Sequence, residues 1–371
     1  MKRIELAETL KKRLQEVPQC HAVTGFDGFV DEMITLVEER QSLDSFKRVE
    51  DITRFGDLVR KAAGHSSLRE IVVTATHAGG CAVNMGDGLA ALGLRVDTFA
   101  TLGEPLHPAF AEYGKIATLH SWGREPGRTL AFEFADGKLM FSAVTQLAEF
   151  EPERVRGYLA DGVFQEKCAK APLIALTDWS MYPHMTSVWR LLQQEVFAEF
   201  PHRPWLFIDL VDPSSRSAAD IQAMLEAMRG FGGPVRPVLG LNQNEANILS
   251  DLLKIPQIDS DGKEASGKQA STLREQLCLE QVVIHAHAYA VSATRTDVHA
   301  VDGPYCANPK KSTGAGDRFN AGYALGLILD LPIEACLLCA VASSGFFVRN
   351  ARSAGLRELI GFFGEWDSGR V

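Results

Sequence analysis

The 371-residue chain has no uninterrupted apolar run of the roughly eighteen residues that a membrane-spanning helix needs. Its most apolar stretch, 335–348, is too short for that and reads as a buried helix, so no membrane partner is expected. A basic surplus is also missing. Lys and Arg number 38 against 47 Asp and Glu, a formal net charge of −9, which leaves no broad positive surface for a nucleic acid. The seven cysteines do not form a disulfide framework: their number is odd and their surroundings are apolar, a pattern of reduced thiols that fits a cytoplasmic protein. Cys336 and Cys339 make a C-x-x-C inside an apolar helical stretch, where core packing explains them better than metal chemistry. Residues 1–17 carry Leu6, Leu10 and Leu14 among charges, the pattern of a surface helix and not of a signal peptide. No Walker lysine is present either, because Lys138, Lys263 and Lys268 follow glycines but none precedes Ser or Thr. Internal repeats and low-complexity tracts are absent.

What is there is a mixture of strands and helices on an ordinary apolar content of 46%. Residues 21–25 read as a short buried strand ending near Asp27 and Asp31. Residues 71–76 are a β-branched strand that runs into Gly79-Gly80 and a helix from about Cys81 to Leu92, stopped by Gly93. A second strand follows over 96–102. From 173 onward, strands near 173–176, 205–210, 238–241 and 281–286 alternate with helices, which implies parallel βαβ units with a sheet covered on both faces. Residues 128–144 differ: two aromatic-rich runs flank Asp136-Gly137, a hairpin signal. Such a hairpin is barely stable alone, so it is expected to pack with the segment near Met33 as a small sheet over the ligand edge. Residues 29–40 and 122–145 would form this lid, 256–271 a surface loop insertion, and 1–371 a single α/β domain.

The segment Lys311 to Gly322 carries the chemistry. Gly314-Ala315-Gly316 lies just before an apolar-periodic helix, where unpaired amides and the helix dipole favour an anion. Asp317 beside that anion is either a helix-start acid or a base for a nucleophile attacking a phosphate; the motif alone leaves both open. Other candidates fall at strand C-termini, where an open parallel sheet gathers its ligand: Asp27 or Asp31, Gly79-Gly80 with Asn84, and Asn242 with Glu245. By themselves Asn242 and Glu245 read first as a helix cap and its partner acid. His285 and His287 read as strand-end or core histidines. The G-x-G-x-x-A of Gly86 to Ala91 sits within a helix, not at a strand-to-helix turn, so it marks tight helix packing and not a dinucleotide site.

In this order, Gly79-Gly80 with Asn84 and Gly93, Asn242-x-x-Glu245, and Thr313-Gly314-Ala315-Gly316-Asp317-x-Phe319-x-x-Gly322 resemble the ribokinase-like (PfkB-type) carbohydrate kinase family over nearly the whole chain. The resemblance implies an α/β three-layer sandwich with a mostly parallel central sheet and a small β lid. It also implies ATP and Mg²⁺ as cofactors and a small-molecule sugar as substrate. Asp317 would be the catalytic base and Gly314, Ala315 and Gly316 the anion hole. Asp27 or Asp31, with Gly79, Gly80 and Asn84, would hold the sugar. Asn242 and Glu245 would organise the metal, Glu245 as its ligand, and Thr313 and Lys311 would lie toward the nucleotide. At position 311 the family's usual acid is replaced by lysine, and residues 285–289 lack the glycine pair common near the nucleotide. These departures motivate an alternative: a catalytically weak sugar-binding or regulatory protein on the same fold. Phe29, Trp122, Phe132, Phe134 and Phe141 are candidates for the sugar-pocket walls, and the lid's open edges are where a homodimer could form.

Overall fold

The computed structural model describes residues 1–255 and 262–371. Strands such as Leu173–Thr177 and Gln281–His285 are buried at nearly every position, which requires cover on both faces of their sheet. Both faces are covered. From one edge to the other the nine strands run Val298–Asp302, Tyr289–Ala293, Gln281–His285, Arg236–Asn242, Trp205–Asp209, Leu173–Thr177, His21–Phe26, Arg95–Ala100 and Thr118–Ser121. All neighbours are parallel except the two pairings at the Val298 end. Alternate side chains divide between two cores. Val23, Ile174, Ile208, Leu239 and Ile284 pack with helices that include Met185–Glu195 and Ala218–Arg229. Ala22, Ala175, Phe207, Val238 and Val283 pack with Ala315–Ile328 and Ile333–Asn350. The result is the three-layer sandwich. Ile333–Asn350 is apolar and long enough to be considered for a membrane, but it is 67% buried within the core. All seven cysteines are free.

The chain leaves His21–Phe26 toward one edge and returns at Leu173–Thr177 to build toward the other. Their C-terminal ends therefore flank the crevice where such sheets bind ligands. Above it lies a second, five-stranded sheet. Its centre is Phe29–Arg40, paired parallel with Gly127–Phe134 and antiparallel with Ile71–Gly79; Gly137–Ala143 completes the hairpin, and Phe46–Arg48 pairs with the far end of Phe29–Arg40. This is the lid. The strand at 71–79 belongs to it and not to the main sheet, which strand propensity alone does not decide.

The lid has a core of its own. Helix Ile52–Ala62 presents Phe55 and Leu58 to Leu36, Val49, Phe132 and Phe134. The hairpin turn anchors its start, since the Asp136 carboxylate accepts from the Ile52 amide at 2.9 Å. That arrangement corrects the assignment of pocket-wall aromatics. Phe132 and Phe134 face this helix, while Phe29 and Trp122 are buried in the main core. The expected loop insertion also needs correction. Residues 256–261 lie outside the described residues, but Lys263–Leu277 is a helix. Its buried face begins with Ser266, Gly267 and Ala270, small residues that hide the helical period from a hydrophobicity pattern.

Candidate functional site

The first strand ends in Asp27, 1% exposed, whose carboxylate caps the di-glycine helix Cys81–Ala91. It accepts from the Cys81 amide, from the Ala82 amide at 2.9 Å and from the Thr177 hydroxyl at 2.5 Å. Burial raises its pKa, and these three donors oppose the rise. With its oxygens so engaged, Asp27 is a structural cap. Asp31, on the lid strand, is the acid that faces the cavity. The two glycines belong with the two acids. A Cβ on Gly79 would lie 2.5 Å from the Asp31 carboxylate; one on Gly80, at φ +97°, would lie 2.6 Å from the Asp27 carbonyl oxygen.

Gly314, at φ +87°, caps helix Ala315–Ile328. The amides of Gly316 and Asp317 have no backbone carbonyl partner among the described residues, so the loop is ready for an anion. Asp317 is 7% exposed in the first turn of that helix. Burial, then the charges of Asp209 and Asp27, push its pKa up to about 7; Arg318 and a hydrogen bond from Cys81 act in the opposite direction. Asn84, Asp317 and Arg318 converge here: each has a polar atom within 3.7 Å of the position a Gly314 Cβ would take.

Two cavities meet at this loop. One, of about 380 Å³, lies under the lid and is lined by Asp31, His77, Asn84, Lys138, Lys311 and Thr313. The other, of about 500 Å³, is lined by His285, Tyr305, Ala315, Gly316, Phe319 and Val348 among others. Ser312 borders both. Lys311 and Thr313 thus border the lid-side cavity and do not line the other. Lys311 is held below the ordinary lysine pKa by partial burial and by the charges of Arg318 and Lys138.

Asn242 and Glu245 form a reciprocal capping box at the start of Gln243–Leu252, each amide bonded to the other's side chain at 2.9 Å. Glu245 keeps a second oxygen, and burial together with Asp209, Asp212 and Asp317 raises its pKa. Three neighbours lie outside the candidate set read from the sequence. Asp178, at φ +56°, is buried beside Asp27 and raised well above the carboxylate range by burial and that charge. Asn320 donates to Asp209 at 2.6 Å. His285 lies against Gly316 and Phe319, and burial lowers it to about 4, so the ring is neutral at pH 7. Asp178, just past the buried strand Leu173–Thr177 and at the same strand end as Asp209, could have been flagged from its position, as His285 was read as a strand-end histidine; Asn320 could not.

Comparison with known proteins matches this geometry. A profile describing prokaryotic ketohexokinase covers residues 4–366. A ketohexokinase of Haloferax volcanii is 27% identical over 363 residues, 97% of this chain and 95% of that protein. Solved structures with the same fold include a carbohydrate kinase from Agrobacterium tumefaciens (TM-score 0.63, 14% identity, 93% of this chain and 97% of that one). They also include Arabidopsis thaliana ribokinase complexed with ribose and ATP (TM-score 0.63, 16% identity, 93% and 98%). With the anion loop, the buried acid and the lidded cavity already placed by the fold, the family match makes this chain a carbohydrate kinase of the prokaryotic ketohexokinase family.

Proposed function

We propose that the chain transfers the γ-phosphoryl group of ATP to a hydroxyl of a ketohexose, with Asp317 as general base. What carries this reading is the position of Asp317: buried in the first helical turn behind the loop that borders both cavities, beside amides free to bind an anion, with a pKa near the working pH. The sugar occupies the lidded cavity, where Asp31 and Asn84 bond its hydroxyls. The nucleotide occupies the cavity of His285 and Tyr305, so its phosphates point at Gly314, Ala315 and Gly316. As the acceptor oxygen approaches phosphorus, Asp317 takes its proton, and the loop amides receive charge developing on the equatorial oxygens. The lid excludes water that would otherwise compete as acceptor.

The concentration of acids around the site suits Mg²⁺. Asp27, Asp178, Asp209, Glu245 and Asp317 are all raised by burial, and Asp178, Glu245 and Asp317 also by the charges of neighbouring acids, an arrangement a cation would relieve. No three such groups converge at ligating distance among the described residues, which fits an ion that keeps its waters and binds mainly through phosphates. Glu245, with Asn242 fixing its orientation, would hold those waters; bound there, the ion neutralises phosphate charge.

The test is ATP-dependent phosphorylation of a panel of ketohexoses and aldoses, with an Asp317→Asn control. Turnover on a ketohexose that falls about 10³-fold or more in the control is expected. Tight sugar binding without turnover on any member would overturn the reading in favour of a sugar-binding protein.

A further inference from the structure

We propose that Arg318 is a positioning residue of the transfer site: its guanidinium, clamped from behind, holds the anion loop in place and sets the local charge beside the base. The inference rests on the reading of Asp317 as that base. Arg318 is 8% exposed, a depth at which a guanidinium needs partners. It has them on three sides. Nη2 donates to Asp87 at 2.7 Å, and Nε donates to the Ser353 hydroxyl at 3.0 Å. Ser353 in turn donates to the same Asp87 oxygen at 2.5 Å, which closes a triangle. The planar group lies over Phe347, 4.5 Å from the ring centroid. Its remaining nitrogen, Nη1, reaches the Gly314 carbonyl at 3.5 Å and lies 2.7 Å from where a Gly314 Cβ would be. The loop glycine and the arginine are therefore fitted to each other.

The clamp also couples the two halves of the site. Asp87 is three residues after Asn84, so both lie on one side of helix Cys81–Ala91. Asn84 faces the sugar cavity while Asp87 holds Arg318. One residue on, a Gly88 Cβ would fall 2.7 Å from the Ala321 Cβ, so the sugar-side helix and the anion-loop helix touch backbone to side chain at this point. The groups that act on Asp317 are the carboxylates of Asp27 and Asp209, the Cys81 thiol and Arg318; Asp178 and Glu245 face the same centre. Arg318 is the cation among them.

Arg318→Gln, Arg318→Lys and Ser353→Ala separate position from charge. The readouts are the pH profile of kcat/KM and the titration of the Asp317 carboxyl followed by ¹³C NMR, assigned with Asp317→Asn. Arg318→Gln is expected to move both to higher pH by about half a unit or more and to lower kcat about 10- to 100-fold, with the sugar KM changing far less. Arg318→Lys is expected to restore the titration but not kcat, because an ammonium cannot bond Asp87, Ser353 and Gly314 together. Ser353→Ala should lower kcat several-fold and leave the pH profile in place; with Arg318→Lys it decides the matter if Arg318→Gln does not fold. An Asp317 titration that superimposes on wild type in Arg318→Gln overturns the proposal, as does a kcat that merely follows Tm across the three variants. If wild type turns over no sugar, the function reading fails, while the NMR titration still decides the role of Arg318.

Discussion

A carboxyl at the position of Asp317 is costly to ionise, and the proposed role as base depends on that cost. Its pKa of about 7 in the folded protein exceeds the ordinary 3.8, so the folded state binds more protons than the unfolded chain between those values. Stability therefore falls as pH rises from about 4 to 7 on account of this group, by up to about 4 kcal/mol. Asp317→Asn should be inactive yet more stable. The gain in Tm should be absent near pH 4, grow through neutrality and level off above pH 7, which calorimetry at several pH values measures. A Tm difference independent of pH would show that Asp317 is already ionised at pH 5. In wild type, kcat/KM should rise through about pH 7 to a plateau, since the base must be deprotonated. The sequence left Asp317 with two readings because burial and the nearness of Asp209 and Asp27, separated from it by more than a hundred residues, are invisible to a local motif.

At the scale of elements, two helix starts allow the folding role of a cap to be separated from the proposed role in the reaction. Asn242→Ala removes an N-cap acceptor and should lower stability by about 1 kcal/mol, whatever its effect on the reaction. Glu245→Gln keeps an oxygen to accept from the Asn242 amide but loses the charge. We expect it to leave Tm nearly unchanged and to raise the Mg²⁺ concentration for half-maximal rate about tenfold; an unchanged Mg²⁺ requirement would reduce the motif to a cap. At the other helix start, Gly79→Ala should displace the Asp31 carboxylate and raise the sugar KM about tenfold, with the ATP KM unaffected. Steady-state kinetics with each substrate varied in turn checks this. The di-glycine, the anion loop and the hairpin were legible because each depends on residues adjacent in the chain. The direction of the hairpin's side chains was not. Alternation shows that Phe132 and Phe134 share a face, but only helix Ile52–Ala62, more than seventy residues earlier, decides that this face turns away from the cavity and leaves Lys138 and Met140 to line it.

Across the whole molecule, the candidate site lies at the C-terminal edge of the main sheet, and a separate polar cluster ties three of its strands together away from that edge. Asp97 accepts from His21 Nε2 and His120 Nε2, both at 2.8 Å, and pairs with Lys167 at 3.1 Å. These residues come from three adjacent strands and from helix Val163–Lys170, so one carboxylate joins four elements. Its partners outweigh the burial that opposes them and hold its pKa well below the usual carboxylate range. For a depressed carboxylate the sign is opposite to that of Asp317: the folded state releases the proton more readily, so the stabilisation is complete above about pH 4 and is lost as pH falls further. Asp97→Asn should therefore lower Tm most at neutral pH and progressively less below pH 4, while kcat and both KM values stay at wild-type levels, because none of its partners lines either cavity. A variant that lost activity without losing stability would mean that this edge of the sheet is coupled to the site. His21, Asp97 and His120 carry no motif in the sequence; only the parallel pairing of three strands gathered from 21 to 121 makes them neighbours.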